Sequence, residues 1–263
     1  MNTFLIVAII FALTVVMIMS GRGGGNFYVA TLVLLGVQMH TASTTSQFIL
    51  LASALVGAIV FGKARVMSWP LAIFFGSLNA TMAFVGGFMA HSFTGTLLKF
   101  ILSLLLFVAG VAMLFPEKQA RKVAISRFGY WNIQEGDNLY VINLWVAVPL
   151  TMATGFFSGM VGISGGSFLI PLMVVGCGVP VRTAVGTATA MLAATALTGF
   201  AGNALHGGFD PELAIPCGAA AVVGGLIGSK IALKTKPKSL KIISGVLTIV
   251  AAIAMLANAV SGK

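Results

Sequence analysis

Gly159-Met160-Val161-Gly162-Ile163-Ser164-Gly165-Gly166-Ser167-Phe168-Leu169-Ile170-Pro171-Leu172 is the stretch on which the fold turns. It separates an apolar run of membrane length, 145–161, from a shorter one, 167–179, that falls below the roughly 17–25 residues a helix needs to cross a bilayer. A second glycine cluster, Gly21-Arg22-Gly23-Gly24-Gly25, stands in the same way between the runs 3–20 and 26–37. Glycine tolerates positive φ and lets the backbone reverse without a Cβ clash. In lipid, irregular backbone survives only where protein or a water-filled cavity satisfies it. Each cluster is therefore expected to start a short helix inside the protein.

Outward from the clusters the chain is apolar almost throughout. Further runs of membrane length cover 40–62, 68–91, 95–115, 183–205, 213–233 and 240–260. Of the 263 residues, 59% are hydrophobic and 8% are charged, where a soluble domain carries about a quarter charged. Fifteen basic and five acidic residues are too few to solvate a globular surface, so the reading is an all-α polytopic protein of the inner (plasma) membrane. The formal charge of +10 would suggest nucleic acid in a soluble chain. Here the basic residues sit mostly in loops without interleaved aromatics, which fits cytoplasmic loops and excludes a nucleic-acid partner. The segment from Met1 to Ser20 has no Lys or Arg before it and no small-residue cleavage site after it. It reads as a first membrane segment and not as a removable signal. Cys177 and Cys217 stand apart in apolar stretches with no Cys or His cluster, so no metal and no cofactor is expected.

The two clusters expose an internal repeat. A shift of 142 carries Thr41-Ala42 onto Thr183-Ala184, Thr45 onto Thr187, Leu71-Ala72-Ile73 onto Leu213-Ala214-Ile215, Gly76 onto Gly218 and Ala112-Met113-Leu114 onto Ala254-Met255-Leu256. The glycine clusters align at 141. The expected organisation is a first repeat over 1–115, a cytoplasmic linker over 116–144 and a second repeat over 145–263. Charge reverses between equivalent loops. Lys63 and Arg65 follow the second long run, whereas their counterpart loop carries Asp210 and Glu212; the loop near 91–95 lacks Lys and Arg, whereas its counterpart holds Lys230, Lys234, Lys236, Lys238 and Lys241. By the positive-inside rule, equivalent loops face opposite sides and the halves have inverted topology. Three long helices follow each cluster, so the segment before them must cross twice or return as a re-entrant hairpin.

The order Gly159 to Leu172, Gly178-Val179-Pro180, then Ala184-Val185-Gly186-Thr187 resembles the TauE/SafE (sulfite exporter, TSUP) family of membrane transporters. The first half repeats it more loosely in Gly23-Gly24-Gly25, Gly36-Val37 and Ala42-Ser43-Thr44-Thr45. Departures are Arg22 within the first cluster, Gln38 where proline is usual, and Ser164 within the second. The resemblance implies an integral-membrane carrier for sulfite, sulfonates, thiosulfate or related organic anions.

The residues themselves point to an anion. All five acids, Glu117, Glu135, Asp137, Asp210 and Glu212, map to the linker or one loop, while Arg22 and Arg182 stand at the glycine turns or the following helix starts. A helix beginning after a glycine turn aims free N–H groups and a partial positive charge inward, and two such helices form the anion site of inverted-repeat carriers. The candidate substrate residues are Arg22, Gly23, Gly24, Gly25, Asn26, Thr45, Ser46, Gln47, Ser164, Gly165, Gly166, Ser167, Arg182 and Thr187, with His40 at the mouth and His91 and His206 at interfaces. A packing role for the glycines, and self-capping for the hydroxyls, are the plainer alternatives. No paired Asp, Ser/His dyad or His-Glu metal motif stands within the spans and no GxxxxGK[ST] loop is present, so an enzyme or ATP-driven pump is not expected. An anion channel shares these features; a membrane scaffold without substrate predicts scattered polar residues instead of paired turns.

Overall fold

The structure, a computed structural model, describes residues 3–19, 23–114, 127–135, 138–234 and 237–261. Among the described residues, ten α-helices fall into two sets of five. The first set is α1 (Thr3–Met19), α2 (Gly25–Leu34), α3 (Met39–Lys63), α4 (Trp69–Met89) and α5 (Gly95–Leu114). The second is α6 (Leu144–Val161), α7 (Gly166–Pro171), α8 (Val181–Ala204), α9 (Pro211–Ala232) and α10 (Pro237–Val260). Every helix of one set has its counterpart in the other at the spacing of the repeat. Five helices, α3, α4, α6, α8 and α9, are long and apolar enough to cross a membrane.

Local sequence explains the boundaries. Asn143 caps α6, its Oδ1 accepting from the Trp145 N–H, and Asp210 caps α9 through the Leu213 N–H, with Pro211 at the first helical position. Gly162 ends α6 in the left-handed region at φ 77, its N–H donating to the Ser158 carbonyl. After Pro171 the backbone of α7 loosens into one π turn, Leu172–Gly176. α2 rises only about 15 Å, half a bilayer.

The structure resolves how the glycine-turn segment runs. The Val141 N–H, just before α6, donates to the carbonyl of Cys177, just after the π turn, at 3.2 Å. The chain therefore leaves and returns to one place: α6, itself long enough to span, runs out, and the shorter α7 with its π turn brings the backbone home. Unforeseen in the sequence is a two-stranded antiparallel sheet, β1 (Tyr130–Glu135) with β2 (Asn138–Asn143), in which Trp131 faces Ile142. Ile133, Tyr140 and Ile142 bury themselves against Leu169, Ile170 and the π turn, so part of the polar linker is a packed hairpin.

Packing runs almost wholly between the sets. α1 lies on α9, α4 on both α6 and α8, α3 on both α8 and α9, and α5 on α10. Close approach demands small residues at these seams. A β-carbon on Gly155 or Gly159 of α6 would strike the carbonyls of Asn79 or Ala83 on α4, one turn apart in the same order, so these two helices run parallel. Gly57 meets Thr189, and Gly199 meets Gln47, so α3 and α8 run antiparallel. The repeat maps the first of those pairs onto the second.

Polarity is inverted relative to a soluble protein. Ile73 and Ile215, equivalent by the repeat, are 66% and 60% exposed, while Gln47, Asn79, Asn203 and Thr187 are fully buried. An apolar exterior around a polar interior is stable only where the surrounding solvent is itself apolar.

Candidate functional site

The two glycine turns meet at the centre of the molecule. Asn26, in the first turn of α2, reaches into the turn preceding α7. Its Oδ1 accepts from the Ser164 N–H at 2.9 Å and lies 3.1 Å from Ser164 Oγ, and its Nδ2 donates to Ser167 Oγ at 3.4 Å. Ser164 Oγ also lies 3.3 Å from the Gly23 carbonyl. Gly23, at φ 67, sits against Leu50 and Leu192, which are again repeat equivalents. Gly25 lies so close that a Cβ would come 2.7 Å from the Ser164 nitrogen. The glycines of one half thus make room for the backbone of the other.

α3 and α8 supply the walls. Ser46 Oγ approaches two carbonyls, Gly162 at 2.9 Å and Gly25 at 3.2 Å, which ties α3 to both turns. Gln47 Nε2 donates to the Ser158 carbonyl at 2.7 Å, while its Oε1 is buried without a partner. Ser158 Oγ in turn donates to the Ile163 carbonyl. Thr45 is buried and its hydroxyl is unpartnered. Gly24 packs on the ring of Tyr28, whereas Gly165 faces Thr154 and Asn79, and Gly166 opens α7.

Two of the expected residues stand elsewhere. The Thr187 hydroxyl accepts from the Ser68 N–H at 2.9 Å and so fixes the loop entering α4. Arg182 is exposed and donates to the Leu233 carbonyl at 2.7 Å, closing the C-terminal end of α9. Arg22 lies outside the described residues.

Several buried polar groups escaped the sequence reading. Asn203 Nδ2 donates to the carbonyls of Gly159 and Gly199 at 2.8 and 2.9 Å, bridging α6 and α8. Asn79 on α4 and Thr151 on α6 are fully buried, and their side-chain polar atoms have no partner. A lone amide in an otherwise apolar helix was the available signal for both asparagines. The three histidines, far apart in sequence, form a column: His40 stacks on His91 with centroids 4.7 Å apart, and His91 on His206 at 4.8 Å. That column joins the start of α3 to the ends of α4 and α8.

Comparison with known proteins agrees with this architecture. The profile of the family described as "Sulfite exporter TauE/SafE" matches residues 5–255. The chain is 21% identical over 241 residues to the probable membrane transporter protein YunE of Bacillus subtilis (strain 168), covering 87% of this chain and 88% of that protein. It is 24% identical over 230 residues to the probable membrane transporter protein YdhB of the same organism, with 86% and 89% covered. Buried polar turns within an apolar exterior, and a match running nearly end to end, lead to one statement: this multi-pass membrane protein belongs to the sulfite exporter TauE/SafE family of transporters.

Proposed function

We propose that the protein is a secondary carrier of small sulfur-containing or organic anions, such as sulfite, sulfonates or thiosulfate, across the inner membrane, with no enzymatic step of its own. The observation that carries this reading is the interlock of the two glycine turns through Asn26, Ser164 and Ser167. The Asn26 amide of the first half and the Ser164 N–H and the Ser164 and Ser167 hydroxyls of the second share one buried locus, a setting that supports an anion's oxygens replacing their water there.

The halves act with opposite orientation. Antiparallel packing of α3 on its equivalent α8 supports this, as does the Lys99 ammonium at the start of α5 donating to Asn258 near the end of α10 at 2.8 Å. Lys63 and Arg65 then face the cytoplasm with the linker, and Asp210 and Glu212 face the far side; Lys236 lies outside the described residues. Burial of Asn26, Ser164 and Ser167, each at most 3% exposed, favours a carrier with an occluded site over an open channel.

Purified protein in proteoliposomes, loaded with or exposed to radiolabelled sulfite, thiosulfate, a sulfonate and a simple carboxylate, tests the reading. Saturable flux of at least one sulfur anion above empty vesicles is expected. Equal leak in protein-containing and empty vesicles for all of them would overturn it.

A further inference from the structure

The two glycine turns are equivalent by the repeat but differ in what surrounds them. Around the first, Tyr28 covers Gly24, and its hydroxyl lies 2.7 Å from that of Thr14, which donates to the Ile10 carbonyl at 2.7 Å. That network is internally complete. Around the second turn the positions of Tyr28 and Thr14 are taken by Leu169 and Gly155, and polar groups come from different helices. Asn79 Nδ2 lies 3.6 Å from where a Cβ of Gly165 would stand. Thr151 occupies the same face of α6 as Gly155, one turn earlier, along the seam on which Gly155 meets Asn79. The repeat counterparts of Asn79 and Thr151 are Ala221 and Ile10, whose side chains have nothing to bond.

Buried polar groups in folded proteins are bonded, and each exception calls for an occupant. Among the exceptions are three atoms on the seam between α4 and α6: Asn79 Nδ2, Asn79 Oδ1 and Thr151 Oγ1. Asn79 stands beside Gly165 of the second turn, with Thr151 a helical turn from Gly155 along the same seam, whereas among the described residues Tyr28 and Thr14 beside the first turn are partnered.

Resting on the carrier reading above, we propose that substrate is bound on one side only, at the second turn between α4, α6 and α7, with Asn79 and Thr151 as its side-chain ligands. The first turn, closed by Tyr28 and Thr14, is a structural counterpart. Asn79 Nδ2 and the Thr151 hydroxyl donate to oxygens of a sulfo-type anion. Asn79 Oδ1 accepts, so an anion that brings its own O–H or N–H satisfies both ends of the amide, and one without such a group leaves Oδ1 facing its oxygens.

The test is a titration of the full-length protein with ethanesulfonate and 2-hydroxyethanesulfonate, which differ by one hydroxyl. Thermal unfolding first establishes that each variant is folded. Wild type is expected to bind the hydroxylated anion the more tightly. Asn79→Leu, of similar volume, should weaken binding about tenfold or more and erase the preference; Asn79→Asp, which keeps the shape but loses the donor, should also lose binding. Thr151→Val should weaken both anions, and Tyr28→Phe should leave both within about twofold. Unchanged binding in Asn79→Leu or in Asn79→Asp overturns the assignment while leaving the carrier reading intact, since water then fills the site. A loss in Tyr28→Phe equal to that in Asn79→Leu overturns the one-sidedness. A wild type that binds neither these anions, sulfite nor thiosulfate removes the carrier reading itself.

Discussion

Asn26 donates its amide to Ser167 Oγ at 3.4 Å, and the two residues hold the same position in the two halves of the chain, 141 residues apart. A contact between equivalent positions arises only on the axis that relates the halves. In the inverted-repeat reading that axis runs through the glycine turns, where both halves hold the gathered polar groups at once.

Asn26 should matter more for stability than its bond to Ser167 suggests. Asn26→Leu removes the acceptor of the Ser164 N–H in a fully buried place, and an orphaned buried donor costs about 1–3 kcal/mol. Ser167→Ala takes from Asn26 Nδ2 only an acceptor at 3.4 Å, already a long bond, and leaves both contacts of Asn26 Oδ1 with Ser164, so it should cost less, about 1 kcal/mol. Denaturation of the two variants in detergent checks the order; equal losses would place the weight on Ser167.

The helix seams make a second expectation. Gly159→Ala would drive a Cβ into the Ala83 backbone carbonyl, which cannot move aside as a side chain can. Overpacking of that kind costs about 1–3 kcal/mol. Gly95→Ala, at the first residue of α5, meets only Met39 Cβ at 3.5 Å, an ordinary contact, and should leave stability nearly unchanged. The unfolding temperature should fall clearly for Gly159→Ala and hardly move for Gly95→Ala.

Arg182→Ala should leave anion affinity unchanged. Its guanidinium is exposed and spent on the last carbonyls of α9, a placement that contributes about 0.3–1 kcal/mol to stability. A tenfold fall in affinity by titration would instead bring Arg182 into the site.

Orientation can be read by labelling. Cysteine placed at Lys63 should react with a membrane-impermeant maleimide only from the cytoplasmic side, and cysteine at Asp210 only from the other. Labelling of both from one side would contradict opposed halves.

The linker hairpin gives a pH dependence. Burial, reinforced by the charge of Glu135, raises the Tyr140 phenol above its ordinary 10.0, with a hydrogen bond to Thr183 pulling the other way. The folded chain holds this proton more tightly than the unfolded one, so the contribution is complete below about pH 10 and is lost as pH climbs through the raised value. Thermal stability should fall above about pH 10 in wild type, and Tyr140→Phe should blunt that fall.

What could be read from the sequence was what depends on one segment at a time. Long apolar runs located the helices, and the repeat located the breaks at Gly162 and Gly23, because glycine there answers a local backbone need. The hairpin at 130–143 was hidden because its alternation is short: Ile133, Tyr140 and Ile142 are the few inward residues among polar neighbours. Asn79, Asn203 and the histidine column were illegible for another reason. Their meaning lies in neighbours that other helices bring, such as Gly159 of α6 for Asn203 of α8, and no spacing in the chain encodes who those neighbours are. Arg182 was seen at a helix start, but the carbonyl it serves is 51 residues away.

The exchange of contacts between the halves has a consequence for how the protein is made. α1 finds its neighbour in α9, α4 in α6 and α8, and α5 in α10. A nascent chain that has delivered α1 to α5 into the bilayer has therefore completed almost none of its packing, and the polar faces of Gln47 and Asn79 must wait, sheltered from lipid by something other than their final surroundings. Biogenesis is gated by the end of translation: a chain truncated before α10 strands α5, and one truncated before α9 strands α1 as well. Two half-chains synthesised separately, by contrast, carry complementary faces and the means to find each other.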